Sequence, residues 1–302
     1  MNSRRSFIKK AGLGIAITSI VPLDLFSFNK DIVKISILHT NDIHSHIDPF
    51  VSGRNKGLGG LVQLSSLVNK IKSEEKNVLL LDSGDIFQGT PYFNKFGGEL
   101  EFKLMSKIGY DCSTMGNHDF DNGLNGFDEQ LIHTNFPFIC TNYDFKNTIL
   151  EGKTKNHAIF HKEGVKIGVI GLGIELKGLV DPRLYKNVKY LDPIEAGNKM
   201  AKYLKHDQNC DIVICLSHLG FKYKGDKVSD QVLAKETSNI DVILGGHTHT
   251  FLKKPINLKN KNGENVLINQ VGFGAIKLGK IDIFISKSES SFLTKNKILN
   301  VN

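Results

Sequence analysis

The sequence is poor in several residue types, and each shortage excludes a class of protein. Its 302 residues contain four cysteines, seven prolines and no tryptophan. Cys112, Cys140, Cys210 and Cys215 form no C-x-x-C pair, and three of them lie in apolar runs typical of strands. This spacing indicates neither a zinc cluster nor a disulfide framework, so we expect buried free thiols.

Long apolar runs are also scarce. The longest candidate, Ala11 to Val21, is too short for the ~20 residues of a membrane-spanning helix, so no integral membrane domain is predicted. The run follows a basic head in which SRRSFIK (3–9) resembles the twin-arginine export consensus. We therefore interpret residues 1–31 as a twin-arginine signal and expect an exported protein of the periplasm or cell envelope. An uncleaved N-terminal anchor remains the alternative.

A basic surface is missing as well, although the net charge is +8. The excess sits at the two ends of the chain, because residues 32–252 carry 25 Lys and Arg against 26 Asp and Glu. A near-neutral main body argues against a nucleic-acid partner.

Short apolar runs alternate with helical patterns along the rest of the chain. Strands are predicted at 31–42 and 77–85, within YDCSTMGNHD, and in CDIVICLS, IDVILGG, NVLINQVG and AIKLGKIDIFI, with a hairpin around Glu163 and Gly164. Helices are predicted within 58–75 and near 98–108, 124–134, 194–206 and 229–237. The alternation favours an α/β protein with a mostly parallel sheet, covered by helices, and a second layer of hairpin strands. We expect one catalytic domain over 32–302.

Polar side chains follow five of the predicted strands, at the point where each strand ends. They are Asp42 and His44, Asp85, Asn117 and His118, His218, and His247 and His249. Ligands of open α/β sheets bind at the carboxyl ends of the strands, so these groups are predicted to converge on one crevice.

The residue types in this cluster are typical of a metal site. Imidazole, carboxylate and amide ligands without thiolate suit Zn²⁺, Mn²⁺ or Fe²⁺. The candidate ligands exceed what one tetrahedral ion needs, whereas two divalent ions that share a carboxylate would use them all. Glycines beside Asp85, Asn117, His218 and His247 predict tight turns around the ions.

The same residues resemble the motif blocks of a known family. Asp42-x-His44, Gly84-Asp85, Gly116-Asn117-His118-Asp119, His218 and Gly246-His247-x-His249 are similar to those of the calcineurin-like metallophosphoesterases. The surrounding sequence segments, such as ILHTNDIHSH, MGNHDFDNG and QVGFGAIKLGKIDI, resemble the N-terminal catalytic domain of the 5′-nucleotidase branch, over about residues 33–285.

The resemblance implies a fold and a role for each residue. The fold would be a four-layer α/β/β/α sandwich. One metal would be held by Asp42, His44, Asp85 and His249, and the other by Asp85, Asn117, His218 and His247. His118 would be the catalytic histidine, oriented by Asp121, while Asp119 is given a structural role.

Other polar residues are not expected to act in the site. His46 and Asp48 follow the first motif block, and we interpret them as solvated loop residues. Structural roles are expected for the histidines on helices and hairpin strands, which are His133, His157, His161 and His206. The lysine-rich stretch 253–265 is read as a solvated hairpin loop.

The leading hypothesis is a two-metal phosphohydrolase of the 5′-nucleotidase type. It would cleave phosphate monoesters, nucleotides above all, by in-line attack of a hydroxide that bridges the metals. The alternatives are a similar enzyme for cyclic nucleotides, nucleotide sugars or a sulfur ester, and a non-catalytic exported metal-binding protein.

Nucleotide recognition is expected to be weak in this chain. Beyond the signal there are only two arginines, Arg54 and Arg183, and we expect no aromatic pair near the motif blocks to clamp a base. A separate polypeptide resembling the C-terminal domain of full-length 5′-nucleotidases is therefore expected to supply selectivity.

Overall fold

The computed structural model describes residues 32–225, 227–286 and 292–302. The predicted export signal lies outside the described residues. Thirteen strands are found in the described ranges: β1 (Ile32–Thr40), β2 (Val78–Asp82), β3 (Cys112–Ser113), β4 (Tyr143–Asp144), β5 (Ala158–Lys162), β6 (Val165–Leu172), β7 (Lys189–Tyr190), β8 (Ile212–Ser217), β9 (Val242–Gly245), β10 (Ile256–Lys259), β11 (Asn265–Asn269), β12 (Lys277–Ser286) and β13 (Phe292–Asn300).

The same ranges contain seven α-helices: α1 (Leu61–Glu74), α2 (Pro91–Phe96), α3 (Glu99–Ile108), α4 (Gly123–Gln130), α5 (Pro182–Tyr185), α6 (Pro193–Lys202) and α7 (Asp230–Glu236). Short 3₁₀ turns occur at Gly53–Asn55, His118–Phe120 and Leu131–His133, and α6 continues into a π turn at Tyr203–Asp207. None of the helices in the described part is long and apolar enough to cross a membrane.

Two large sheets form the centre of the molecule. The first has the strand order β13-β12-β1-β2-β3, with β1, β2 and β3 parallel. The second has the order β10-β11-β9-β8-β6-β5, with β11, β9, β8 and β6 parallel. Antiparallel strands lie at one edge of the first sheet and at both edges of the second, and β4 pairs with β7 in a small separate ribbon.

Three apolar layers separate the sheets from each other and from the helices. In β1, Ile35 and Ile37 pack against the second sheet, whereas Leu38 points to the helices on the outer side. Because side chains alternate along a strand, a strand buried on both faces needs apolar residues at nearly every position. The VLLLD sequence of β2, buried throughout, meets this requirement. The arrangement confirms the predicted α/β/β/α fold.

Helix α1 shows how the sequence builds an outer layer. Leu61, Leu64, Val68 and Ile71 recur at helical spacing and are the buried residues of the helix. The helix begins directly after Gly60, whose φ is +83°. A side chain at position 60 would meet the backbone of Asp48 at 2.5 Å, so only glycine allows this close approach.

Several elements differ from the sequence-based prediction. No pattern in the sequence predicted β13, which pairs with β12 along nine residues. The alternation of β13 is hidden by the polar Lys-Asn-Lys stretch at 295–297, since an edge strand exposes much of its length. Within the lysine-rich stretch, Ile256–Lys259 is likewise an edge strand.

Two further predictions were only partly right. The third strand is reduced to Cys112–Ser113, and the motif that follows it bends at once into a 3₁₀ turn. Helix α2 was not predicted; it starts at Pro91 after the cap Thr90 and ends at Gly97. The predicted free thiols are confirmed, because all four cysteines are buried and unpaired.

Candidate metal centre and active site

The loops that follow six parallel strands meet at one edge of the two facing sheets. Those after β1, β2 and β3 come from the first sheet, and those after β8, β9 and β11 from the second. They bring together every residue predicted for the site, in the crevice expected at the carboxyl ends of parallel strands. These residues are Asp42, His44, Asp85, Asn117, His118, Asp121, His218, His247 and His249.

One set of ligand atoms, called the outer group here, comes from Asp42, His44 and His249. The three atoms lie within 4.8 Å of one another. The Nε2 atoms of His44 and His249 are 2.9 Å apart, and Oδ1 of Asp42 is 3.3 Å from Nε2 of His249. The side chain of His249 is 39% exposed, so this group reaches the solvent through that histidine, whereas Asp42 and His44 are buried.

A second set, the inner group, comes from Asp85, His218 and His247, again within 4.8 Å of one another. Nε2 of His218 is 3.0 Å from Oδ2 of Asp85, and both side chains are almost completely buried. Asn117 extends this group, because its Oδ1 is 2.8 Å from Nδ1 of His247.

Asp85 lies between the two groups. Its Oδ2 is 3.0 Å from Nε2 of the inner His218 and 3.8 Å from Nε2 of the outer His44. Its Oδ1 accepts a hydrogen bond of 2.8 Å from the backbone N–H of His118. Asp85 is thus the carboxylate that both groups can share.

The donor atoms fit metal ions better than they fit one another. Nε2 of His218 is buried and makes no hydrogen bond, despite its short distance to Asp85. The two facing ring nitrogens of His44 and His249 can share at most one proton. Cations placed between these lone pairs would satisfy both arrangements. Oxygen and imidazole donors of this kind suit Zn²⁺, Mn²⁺ or Fe²⁺.

Backbone carbonyls fix which nitrogen each histidine presents. Nδ1 of His218 lies 2.6 Å from the carbonyl oxygen of Ser83, and Nδ1 of His44 lies 3.2 Å from that of Gln88. A carbonyl can only accept, so each Nδ1 carries the hydrogen and each Nε2 offers a free lone pair. The protein sets the tautomer that a metal requires.

Two residues that position the ligands were missed by the sequence analysis. Gln270 donates to the carbonyl oxygen of Gly246 and accepts from Thr248 and from the backbone N–H of Thr250. It therefore anchors the loop that carries both His247 and His249. The available signal was its place directly after β11, the same strand-end position that identified the ligands.

Asn41 plays a similar part beside Asp42. Its Nδ2 donates to Oδ2 of Asp42 and to the carbonyl oxygen of Gly272, each at 2.6 Å, and its Oδ1 accepts from the N–H of Val271. The amide thus joins the loop after β1 to the loop after β11.

The backbone is left-handed at five of the metal-ligand candidates. Their φ angles lie between +49° and +70°; the residues are Asp42, His44, Asp85, His247 and His249. Each such residue costs about 1 kcal/mol or more relative to an ordinary conformation. Strain concentrated on the ligands themselves indicates that the loops are shaped for the site.

Gly116 shows why glycine accompanies these ligands. A Cβ atom there would lie 2.2 Å from Oδ1 of Asp85 and 2.6 Å from a ring carbon of His218. Any side chain at position 116 would therefore displace the inner group. The predicted role of the neighbouring glycines is right at this position.

His118 and Asp121 form a pair beside the two groups. Nδ1 of His118 lies 2.7 Å from Oδ2 of Asp121, and the ring contacts that of His44 at 5.3 Å. The hydrogen bond to Asp121 raises the pKa of His118 above its ordinary value, with burial opposing and Asp85 assisting. The imidazole is thereby favoured in its protonated form.

The carboxylate of Asp119 accepts several hydrogen bonds from the backbone. It accepts from the N–H groups of Asp85, Ile86, Phe87 and Gly116, at 2.8 to 3.2 Å. These bonds join the loops after β2 and β3, which agrees with the structural role expected for it.

His46 is only partly exposed and is not the solvated residue that was expected, whereas Asp48 is exposed, as expected. His46 stacks on Phe50 at 4.2 Å, because the loop folds back over the phenylalanine, and Asp48 accepts a hydrogen bond from Tyr92. Aromatic rings also lie next to the metal centre, contrary to expectation: Phe273 stacks on His249 at 5.0 Å.

The four histidines for which structural roles were expected lie outside both groups. His161 is on β5, His206 is in the π turn and His133 ends a 3₁₀ turn, while His157 contacts Tyr203. Among the described residues, the groups able to hold a metal are the inner and outer groups alone.

Comparison with known families agrees with this geometry. The sequence profile of the calcineurin-like phosphoesterases matches residues 35–251, which include both groups. The chain belongs to the calcineurin-like phosphoesterase family. Its two Asp/His groups correspond to the two divalent ions that calcineurin-like phosphoesterases use.

Relatives of the chain include nucleotidases. It is 35% identical to a snake venom 5′-nucleotidase of Gloydius brevicauda over 229 residues, covering 72% of this chain and 37% of the relative. It is 30% identical to the NAD 5′-nucleotidase of Haemophilus influenzae, covering 87% of this chain and 46% of the relative. The chain thus spans less than half the length of these relatives.

A solved structure gives the same result for the fold. The 5′-nucleotidase precursor of Thermus thermophilus superposes with a TM-score of 0.80 at 29% identity, over 89% of this chain and 55% of that one. The described domain is similar to part of the longer proteins, and it contains the metal centre.

Proposed function

We propose that this calcineurin-like phosphoesterase hydrolyses phosphate monoesters, with nucleoside 5′-phosphates as its substrate class. The observation that carries the proposal is the His118–Asp121 pair beside the two metal-binding groups. Metal storage would need the ligands alone, whereas a protonated imidazole at their edge serves the departure of a leaving group.

The ligands would divide between two ions, with Asp85 placed where it could serve both. Asp42, His44 and His249 complete the first set, and Asn117, His218 and His247 complete the second. When bound, such ions polarise a phosphate and activate the water that attacks it. The absence of cysteine from both groups supports Zn²⁺, Mn²⁺ or Fe²⁺ over softer ions.

His118 acts on the leaving oxygen. Its Nδ1 is engaged by Asp121, so Nε2 carries the proton that can be donated to the departing alkoxide. Asp121 orients the ring and favours its cationic form, and the side chain of His118 is 37% exposed, where an ester can reach it.

Nucleotides are favoured over the alternatives because two relatives at 30% identity or more are named as a 5′-nucleotidase and an NAD 5′-nucleotidase. Since the chain spans less than half of those proteins, the substrate is a proposal for this domain. Cyclic nucleotides, nucleotide sugars and sulfur esters are competing substrates that experiment can separate.

The test is a substrate panel on the purified mature protein, reconstituted in turn with Mn²⁺ and Zn²⁺. Nucleoside 5′-phosphates, cyclic nucleotides, a nucleotide sugar, aryl phosphates and a thiosulfate ester are compared by kcat/KM. The expected result is turnover of phosphate monoesters, lost in the Asp85→Asn variant. Turnover of the thiosulfate ester alone would overturn the proposed substrate class, and no turnover at all would leave the protein a metal binder.

We further propose export in the folded state through the twin arginines. Replacing Arg4 and Arg5 by Lys is expected to retain the active protein in the cytoplasm. Fractionation of cells that express both forms measures this, and continued export of the double variant would contradict it. A separate polypeptide that adds nucleotide selectivity is the alternative to recognition within this chain, and its addition would then raise kcat/KM for nucleotides selectively.

A further inference from the structure

A row of aromatic rings extends outward from the metal centre. The ring of Phe273 stacks on the metal-ligand candidate His249 at a centroid distance of 5.0 Å and an angle of 23°. Phe251 and Phe50 meet Phe273 edge to face at 5.9 and 5.8 Å, and His46 stacks on Phe50 at 4.2 Å. We call His46, Phe50, Phe251 and Phe273 the aromatic platform.

Glycine makes the platform possible. Phe273 stands between Gly272 and Gly274, and each glycine is covered by a ring. A Cβ atom at position 272 would lie 2.1 Å from the ring of Phe251, and one at position 274 would lie 2.7 Å from that of Phe50. The rings therefore approach the loop after β11 more closely than any residue with a Cβ atom would allow.

This loop is fixed to the metal centre. The N–H of Gly274 donates to the carbonyl oxygen of the metal-ligand candidate Asp42, and the N–H of Gly272 donates to that of Thr250. Asn41 binds the carbonyl oxygen of Gly272 with the same Nδ2 that contacts Asp42. A surface held by these bonds loses little conformational freedom when a ligand binds.

The outer end of the platform is open. Phe251 is 40% exposed, whereas the core rings Phe87, Phe102 and Phe127 are fully buried. An exposed apolar ring that adjoins a catalytic centre, on a loop built to hold it there, offers one face to a flat ligand. Stacking of a base on an aromatic side chain is favourable for every base, because each has a π face.

We propose that the aromatic platform binds the nucleobase of a nucleoside 5′-phosphate whose phosphate lies at the metal centre. The inference rests on the proposed function, since it names the part of the substrate that distinguishes nucleotides from other phosphate esters. It places base recognition in this chain rather than in a second polypeptide.

The test compares two substrates that differ only in the base, adenosine 5′-phosphate and ribose 5-phosphate. Phe251→Ala is expected to lower kcat/KM for the nucleotide about 5- to 100-fold, through KM, as expected for one lost base stack. For ribose 5-phosphate it should remain within about twofold of the wild-type value. The matched control is Tyr203→Ala, an aromatic of similar exposure (37%) that precedes β8 at the opposite edge of the sheet, and it should leave both values unchanged.

A binding measurement separates this inference from the proposed function. Adenosine, which has no phosphate, is titrated into the metal-free protein and followed by saturation-transfer NMR. The expected signal from the adenine protons disappears in Phe251→Ala and persists in Tyr203→Ala. If the enzyme cleaves no phosphate ester, the proposed function is refuted. The adenosine signal still shows, independently, whether the aromatic platform binds a base.

Two results would overturn the inference. One is an equal loss of kcat/KM for both substrates in Phe251→Ala, which would mean that the ring only supports His249. The other is a ratio of kcat/KM between the two substrates that is unchanged in Phe251→Ala, together with no adenosine signal from the wild-type protein. That result would assign base recognition to a partner polypeptide.

Discussion

The inner and outer groups use the same residue types, yet the protein holds them differently. In the inner group, His218 and Asp85 are almost completely buried, and His218 is fixed by the carbonyl oxygen of Ser83. In the outer group, His249 is 39% exposed and its ring is supported by a stack on Phe273. Burial with directional hydrogen bonds fixes a ligand more strictly than stacking at the surface.

The difference indicates a division of labour. Each group has two buried ligand candidates and one partly exposed histidine, but the exposed histidine of the outer group adjoins the proposed base-binding surface, so an outer ion would be the one that exchanges beside the substrate. In the metal-free inner group, burial alone would lower the pKa of His218, but Asp85 and Asp42 outweigh it and raise the pKa to about 10. Burial lowers the pKa of His247 to about 4, and the charge of His218 adds to this effect. The inner ligands therefore differ in charge until a cation replaces the proton on His218.

The strongest way to break the comparison is to remove the residue that joins the two groups. Asp85→Asn is expected to lose at least one ion and nearly all activity, because a neutral amide cannot bridge two cations as a carboxylate does. Metal content by mass spectrometry and turnover measure the effect. The control Asp207→Asn changes an exposed carboxylate in the π turn and should alter neither. An Asp85→Asn protein that keeps two tightly bound ions would refute the shared-ligand assignment.

The next variant separates proton donation from metal binding. His118→Asn should keep both ions and lower turnover by about 10² to 10⁴, the usual contribution of a general acid. The loss should be smaller for aryl phosphates, whose leaving groups need little protonation. Steady-state kinetics on alkyl and aryl esters, with metal analysis, check both points. Equal losses on the two ester classes would argue against the proton donor, and a missing ion would make His118 a ligand.

The sequence predicted the metal-ligand candidates better than it predicted the residues that hold those ligands in place. Strand-end positions carry a clear signal, because residues such as Asp85 and His218 follow apolar runs that can only be buried strands. The α/β/β/α layering followed from the family resemblance, whereas the apolar runs alone predicted one mostly parallel sheet and a layer of hairpin strands in place of two sheets that each contain parallel strands. Both kinds of signal are local in sequence.

What was missed depends on contacts between distant segments. Gln270 is an ordinary polar residue until the fold places it against the loop that carries His247. The aromatic platform joins residues near position 50 to others more than 200 positions away, and no spacing rule connects them. The sequence analysis missed strand β13 for a different reason, because an edge strand with exposed lysines lacks the apolar alternation that marks a strand.

Gln270 gives a milder way to sharpen the comparison, because it supports one ligand from each group. Gln270→Leu keeps a similar volume but removes the hydrogen bonds to Gly246, Thr248 and Thr250. Metal affinity is expected to fall about 10- to 100-fold, as for other residues that orient ligands. Isothermal titration with Mn²⁺ measures it, and Gln130→Leu, in α4, serves as the matched control. If Gln270→Leu loses its fold in the absence of metal, as seen by circular dichroism, the role of Gln270 is purely structural. Restored metal affinity in Gln270→Glu, which keeps the acceptor oxygen, would support a role in positioning the ligands.

The smallest expected effect is a difference in affinity between the two ions of the wild-type protein. Because the side chain of the outer ligand His249 is 39% exposed and that of the inner ligand His218 is fully buried, the outer ion should leave first when a chelator is added. We expect two dissociation constants that differ about tenfold or more, or ~1.4 kcal/mol. Competition titration against a chromogenic chelator resolves the two constants, and stopped-flow release into the same chelator, with metal stoichiometry at each step, shows which ion leaves first. His249→Ala should abolish the fast step and retain the slow one, because the inner group keeps its own ligands. Release of both ions in a single step from the wild-type protein, or survival of the fast step in His249→Ala, would show that the two groups bind as one unit and that their different burial has no thermodynamic consequence.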